Sequence, residues 1–211
     1  MHKSLLIFDF DGTIADTLRV AIQIVNELGD EFGFRKLNQR EFTELKGKSV
    51  PELMRLSGLS WVQLPVFIKR ARDRFKAYLR QVPPIPHMPE ILDTLHKRGY
   101  RMGIVTSNTR EGVQRFLQTH QLQHFEFIYA PDSLFGKARV LKRILKQHQL
   151  AHTEVIMIGD EIRDLEAAGK AGIDALAVTW GFNSEDLLSS GKCAHLVRTP
   201  QELLQLFPPR E

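Results

Sequence analysis

The sequence predicts an α/β protein, a doubly wound parallel sheet carrying an inserted, all-helical domain. Three observations carry this. The run Leu5-Leu6-Ile7-Phe8 is unbroken and apolar, as befits a strand buried on both faces of a parallel sheet. From Pro89 onward, short apolar segments alternate with amphipathic helices in βα fashion. Between them, residues 15 to about 82 read as helix throughout. The predicted domains are therefore 1–14 with 83–211 for the sheet domain, and 15–82 for the helical insertion.

The first strand stops at two carboxylates, Asp9 and Asp11, followed by Gly12 and Thr13. Ligand sites of open α/β sheets lie just beyond the carboxyl ends of strands, where Asp9 falls. Burying such a pair is costly unless a cation or hydrogen bonds answer the charge. The same residues also suit a capping turn, in which Asp11 and Thr13 bond backbone amides. This stretch alone leaves both readings open, and partners further along the chain must decide.

Next, Ile14, Leu18, Ala21, Ile22, Val25 and Leu28 recur at three- and four-residue spacing, predicting an amphipathic helix that ends near Gly29 or Gly33. A second helix is expected over Asn38 to Leu45, then the loop Lys46-Gly47-Lys48-Ser49, then a helix opened by Pro51 and broken at Gly58. From Leu64 to Leu79, Phe67, Ala71, Phe75 and Leu79 form one stripe, accompanied by Lys69, Arg70, Arg72, Arg74, Lys76 and Arg80. Charges opposite an apolar stripe usually form a solvated face. Pro83-Pro84-Ile85-Pro86 reads as a linker.

The sheet domain resumes with a helix over Glu90 to Arg98, stopped by Gly99, and a strand over Tyr100 to Val105. A helix over Arg110 to Thr119, a strand over Phe125 to Ala130 and a helix from Gly136-Lys137 to about His148 follow. Glu154 to Ile158 and Ala175 to Thr179 are the last strands, with a helix between them that Gly172 stops. Five strands are expected in all.

The 211 residues, 43% of them hydrophobic, suffice for one good core with a smaller appended domain. A net charge of +4 suits an anionic substrate and is too weak and dispersed to argue for nucleic acid. Cys193 is the single cysteine, which excludes an internal disulfide and fits a reducing cytoplasm. Nothing reads as a signal peptide or a membrane span, so a cytoplasmic protein is expected. Its oligomeric state, monomer or dimer, is left open.

Chemistry-bearing residues follow each strand. The Thr106 hydroxyl and the amides of Ser107 and Asn108, leading into a helix, can bind phosphate oxygens, although Thr-Ser-Asn is also an ordinary N-cap. Lys137 opens a helix, where a cation opposes the helix dipole, a placement more natural if it reaches an anion. Asp160, Glu161 and Asp164 crowd a strand-to-helix junction and suggest a hard cation on oxygen ligands, for which Mg²⁺ suits a phosphate site.

Asp-x-Asp-Gly-Thr after an apolar strand, a Thr closing the second strand, a lysine at a helix start and Gly-Asp-x-x-x-Asp, in this order, resemble the four motifs of the haloacid dehalogenase superfamily. Most of its members are phosphohydrolases, and its dehalogenases lack the second Asp, so Asp11 speaks against dehalogenation. The resemblance implies that Asp9 is a nucleophile and Asp11 a general acid and base. It implies Mg²⁺ on the side chains of Asp9 and Asp160 and the carbonyl of Asp11, with Asp164 supporting the ion from behind. Thr106, Ser107 and Lys137 would hold the phosphate of a small phosphorylated metabolite. The insertion would be the family's cap, with Lys46, Gly47 and Lys48 in a substrate-specificity loop. Phosphoglycolate phosphatases are the general likeness. A sugar phosphomutase ranks lower, because Val50 and Pro51 stand where those mutases carry an arginine. A non-catalytic phospholigand-binding protein is a rival that the intact acids and lysine disfavour.

Overall fold

The computed structural model describes residues 3–45, 48, 50–78, 81–130 and 136–210. In chain order these form β1 (Leu5–Phe8), α1 (Thr17–Phe32), α2 (Gln39–Leu45), α3 (Val50–Ser57), α4 (Leu64–Tyr78), α5 (Met88–Lys97), β2 (Arg101–Val105) and α6 (Arg110–Thr119). They continue with β3 (Phe127–Tyr129), α7 (Lys137–Gln147), β4 (Val155–Gly159), α8 (Ile162–Ala171), β5 (Asp174–Val178), α9 (Glu185–Ser190), β6 (His195–Val197) and α10 (Glu202–Leu206).

The sheet runs β3-β2-β1-β4-β5-β6, and every pairing is parallel. Strand order reverses between β1 and β4, so their carboxyl ends diverge into a crevice, the place where such sheets bind ligands. Phe8 pairs with both Ile104 and Ile158. The residues that follow, Asp9, Thr106 and Asp160, therefore come to one rim.

Side chains alternate between two cores. Leu6, Phe8, Ile104, Ile156, Ile158 and Leu176 pack with α5, α6 and α10 on one face. Leu5, Ile7, Val155, Met157, Ala175 and Ala177 pack with α7 and α8 on the other. Both faces being covered explains why the strands read as continuous apolar runs.

Among the described residues the sheet has six strands, where five are expected. The sixth, β6, is three residues long at an edge, and Val197 alone of them is fully buried, so it has no run to betray it. β3 is confined to Phe127–Tyr129, shorter than the predicted strand, with all its residues half-buried at the other edge. The first helix also differs. It begins at Thr17, and its buried stripe is Thr17, Val20, Ile24 and Leu28, while Leu18, Ala21, Ile22 and Val25 are only partly covered. Ile14 precedes the helix and is buried in a turn. Apolar residues surround much of α1, so spacing alone does not choose among neighbouring stripes.

In the insertion, α1 packs on α4. Phe67 meets Phe32 and Phe34 edge to face, with centroids 5.5 and 5.9 Å apart. Arg74 reaches Glu27 and Glu31, each at 3.3 Å, and Arg70 reaches Glu31 at 2.6 Å. Part of the basic face of α4 is thus tied to acids of α1, in half-exposed pairs worth about 1 kcal/mol or less each. Leu79 and Arg80 lie outside the described residues. The proline-rich connection is more ordered than a bare linker. Ile85 N–H donates to Ile14 O at 2.8 Å and Asp16 N–H to Pro83 O at 2.9 Å, so the two crossings between sheet and insertion brace each other.

Candidate active site

The sequence Asp9-Phe10-Asp11-Gly12-Thr13 leaves β1 and turns at once. Gly12 takes φ +74°, and a Cβ there would lie 2.4 Å from Asp160 Oδ2. Only glycine fits both the left-handed backbone and that approach. Thr13, wholly buried, donates its hydroxyl to Asp160 Oδ1 at 2.7 Å. Thr13 therefore joins the β1 loop to the β4 loop.

Asp160 begins the turn after β4. Its Oδ2 accepts the Phe182 N–H at 2.7 Å, from the loop that follows β5. In that loop a Cβ on Gly181 would lie 2.1 Å from the same carboxylate oxygen. Trp180 Nε1–H donates to Thr13 O at 3.2 Å, and the Asn183 side chain accepts the Ile162 N–H at 2.8 Å. This loop clamps both acidic loops from one side.

Lys137, at the start of α7, is buried among the acids. Its Nζ lies 2.8 Å from Asp9 Oδ2 and 2.6 Å from Asp164 Oδ1. Asp164 Oδ2 accepts the Glu161 N–H at 3.3 Å, capping α8. Carboxylate oxygens of Asp9, Asp160 and Asp164 all lie within 4.8 Å of one another. Asp9 Oδ1 also accepts the Phe10 N–H at 2.7 Å.

Asp11 stands at the mouth of the site, partly exposed. The Asn108 side-chain amide donates to both its oxygens, at 3.1 and 3.2 Å. Thr106, at the end of β2, is buried, and its hydroxyl oxygen accepts the Asn108 N–H at 3.0 Å.

The electrostatics follow from this crowding. Burial, then the neighbouring Asp9, raises the Asp11 carboxyl to about 7. The same two causes raise Asp164 to about 7 despite Lys137, and raise Asp160 well above the ordinary carboxylate range. Burial alone would lower Lys137, but Asp164 and Asp9 outweigh it and hold the ammonium above its usual range. Lys137 pairs with two of the three buried carboxylates, Asp9 and Asp164, so ionising all three leaves an excess of negative charge in a poor dielectric. Each of their six oxygens accepts a donor from the protein: Phe10 N–H and Lys137 on Asp9, Thr13 and Phe182 N–H on Asp160, Lys137 and Glu161 N–H on Asp164. This donor set, hard oxygens with surplus negative charge, fits a divalent cation such as Mg²⁺.

Asp9, Asp11, Thr106, Lys137, Asp160 and Asp164 thus converge on one crevice, as their sequence pattern predicts. The structure places Ser107 beside them as an exposed residue of the turn into α6. Lys48 is exposed, its N–H bonded to Leu45 O at 3.1 Å, while Lys46 and Gly47 lie outside the described residues. Sequence reasoning missed the side chains of Thr13 and Asn108, the Phe182 amide and the close approach of Gly181. The Gly-Thr after Asp11 and the Trp-Gly-Phe loop were legible as turns, but their partners are not local: Thr13 meets Asp160 147 residues on, Trp180 meets Thr13 167 residues back, and Phe182 meets Asp160 22 residues back.

Comparisons with known proteins agree with this geometry. A sequence model described as haloacid dehalogenase-like hydrolase matches residues 6–178. The chain is 33% identical over 201 residues to a phosphoglycolate phosphatase of Synechococcus elongatus, covering 95% of each chain. It is 22% identical over 210 residues to a pyrophosphatase of Halalkalibacterium halodurans, covering 98% of this chain and 97% of the other. A solved haloacid dehalogenase-like hydrolase from Streptococcus pneumoniae superposes with a TM-score of 0.81 at 26% identity, covering 98% of this chain and 99% of that one. The chain is an enzyme and belongs to the haloacid dehalogenase-like hydrolase family.

Proposed function

We propose that this phosphatase hydrolyses a small phosphomonoester in two steps, through an aspartyl-phosphate on Asp9, with Mg²⁺ in the acidic crevice. The observation that carries the reading is the placement of Asp9 between a fixed cation, Lys137 at 2.8 Å, and the metal-competent carboxylates Asp160 and Asp164. Asp9, Asp160 and the carbonyl of Asp11 would hold the ion, with Asp164 behind them. When bound, a divalent cation supplies positive charge that offsets the meeting of an anionic phosphate with an anionic nucleophile, worth about 4 kcal/mol per like-charge pair at 4 Å and an effective dielectric of 20.

In the first step an Asp9 oxygen attacks phosphorus in line as the bond to the leaving oxygen breaks. Asp11, whose raised pKa keeps a proton near neutral pH, gives that proton to the leaving oxygen. In the second step the resulting Asp11 carboxylate takes a proton from water, and the water oxygen attacks phosphorus and releases Asp9. Lys137, the Thr106 hydroxyl and the amides following it hold the phosphate oxygens throughout. Residues 15–82 act as a cap over the crevice, excluding bulk water, and the loop bearing Lys46, Gly47 and Lys48 contributes to substrate choice.

Phosphoglycolate is the first substrate to try, on the likeness to the Synechococcus enzyme. Pyrophosphate is a second reading, favoured by the Halalkalibacterium relative. Among the described residues no helix is long and apolar enough to cross a membrane, and a cytoplasmic site of action suits a phosphorylated metabolite. The test is hydrolysis of an aryl phosphate with chelator and with Mg²⁺ restored, followed by ranking small phosphorylated metabolites by kcat/KM. Full activity in a verified metal-free sample would contradict the proposed metal.

A further inference from the structure

The described contacts of Asp11 raise a separate question, namely what aims it. Asp11 is a partly exposed residue at the mouth of the crevice, where rotation about its own side-chain bonds would swing its carboxyl group away from a leaving group. The Asn108 amide spans it. Nδ2 donates to Oδ1 at 3.1 Å and to Oδ2 at 3.2 Å, from a residue 97 positions away.

The orientation of that amide is fixed by its own surroundings. Asn108 Oδ1 accepts the Thr109 N–H at 2.7 Å. A flipped amide would set its NH₂ against the Thr109 N–H and its oxygen against the Asp11 carboxylate, turning attractions into repulsions at both ends. The backbone is held as well, since Asn108 N–H bonds the hydroxyl oxygen of buried Thr106 at 3.0 Å. Thr109 in turn caps α6, accepting the Gly112 N–H at 3.2 Å. The donor is thus built into a turn closed at each end by hydrogen bonds.

We propose that Asn108 is a positioning residue, holding the Asp11 carboxyl group aimed at the leaving oxygen and the attacking water. This rests on the two-step reading above and adds to it a side chain: the backbone amide of Asn108 serves the phosphate, while its carboxamide contacts Asp11 and the Thr109 N–H. Its effect must then appear only where Asp11 transfers a proton. General acid help is worth roughly 10²–10⁴-fold with a poor leaving group, and small misplacements of reacting groups forfeit up to about 10²-fold. An activated aryl leaving group departs without that help.

The experiment is single-turnover cleavage, with enzyme in excess and Mg²⁺ present, of 4-nitrophenyl phosphate and of an alkyl phosphate monoester. Wild type, Asn108→Ala and the isosteric Asn108→Asp are compared, with thermal melts to verify folding. For Asn108→Ala the alkyl first step should slow by roughly 10–100-fold while the aryl first step changes by less than about 3-fold, with substrate affinity held within about 2-fold. Asn108→Asp keeps the shape but faces Asp11 with a carboxylate, so the alkyl step should suffer more. Equal losses on both esters would make Asn108 a phosphate-binding or structural residue, and no loss on either would make its contact idle. Both results overturn the proposal while leaving the two-step reading intact. A wild type that cleaves neither ester overturns that reading and the proposal with it.

Discussion

Lys137 Nζ lies 2.8 Å from Asp9 Oδ2, and the same ammonium lies 2.6 Å from Asp164. One cation at the foot of α7 thus compensates two buried acids, one from the loop after β1 and one from the first turn of α8. A lysine at a helix start costs about 0.3–1 kcal/mol against the helix dipole. Removing one partner of a buried pair costs more, about 3–5 kcal/mol. The Lys137→Met protein should therefore lose phosphatase activity and unfold in urea with stability lower by about 3–5 kcal/mol. Part of the deficit should return at pH 5, where Asp164 can take up a proton. An unchanged urea midpoint would show that the ion pair carries no weight.

Without metal, stability should fall as pH rises from about 5 to 7. Asp11 and Asp164 are pushed up to about 7 in the folded chain, and Asp160 is also raised, all three above the ordinary aspartate value of 3.8. Across that window these three folded acids hold protons that the unfolded chain has released, which favours unfolding as pH rises; His124, lowered by burial, acts in the opposite sense there, one group against three. Acids that the fold lowers, such as Glu126 and Asp93, act at lower pH and favour folding as pH rises there. Lys137 is raised and stays charged throughout, so its contribution is constant. Mg²⁺ at about 100 times its dissociation constant should stabilise by about 2.7 kcal/mol at pH 8, and by less at pH 5. Thermal melts in chelator and in Mg²⁺ at both pH values check this, and a larger metal effect at pH 5 would contradict it.

Two glycines offer a contrast. The Gly181→Ala change would press a methyl group to 2.1 Å from Asp160 Oδ2 and should weaken Mg²⁺ binding measured by calorimetry by at least about tenfold. The Gly169→Ala change, exposed on α8 with nothing within 4 Å, should instead stabilise the fold by about 0.5–1 kcal/mol and leave metal affinity alone. Equal metal affinity in the two variants would remove the loop after β5 from the site.

The sheet and its acids were legible because each strand-end residue is announced locally. Leu5 to Phe8 must be buried, and Asp9 follows at once. Gly-Asp after β4 repeats the signal beside it, and parallel pairing of β1 with β4 brings the two together. The edge strand β6 was not legible, since three residues with one buried side chain carry no period. Nor was the buried stripe of α1, where apolar residues on neighbouring faces leave the choice to packing against α4 and the core. The contacts that hold the acids in place were the least visible. Thr13 to Asp160 and Asn108 to Asp11 join residues 147 and 97 apart, and a threonine or asparagine in a turn is explained locally without them.

The assigned roles of Asp9 and Asp11 predict different chemical fates for two isosteric variants. Asp9→Asn has no anionic nucleophile. Asp11→Asn keeps the nucleophile but cannot give or take a proton, so an aryl phosphate should still phosphorylate it while water attack slows by roughly 10²–10⁴-fold. The direct measurement is rapid acid quench of each variant with an aryl phosphate and Mg²⁺, followed by intact mass and peptide mapping. Asp11→Asn should accumulate one phosphoryl group on Asp9, and Asp9→Asn should accumulate none. An adduct on another residue, or equal labelling of Asp9→Asn, would contradict the account.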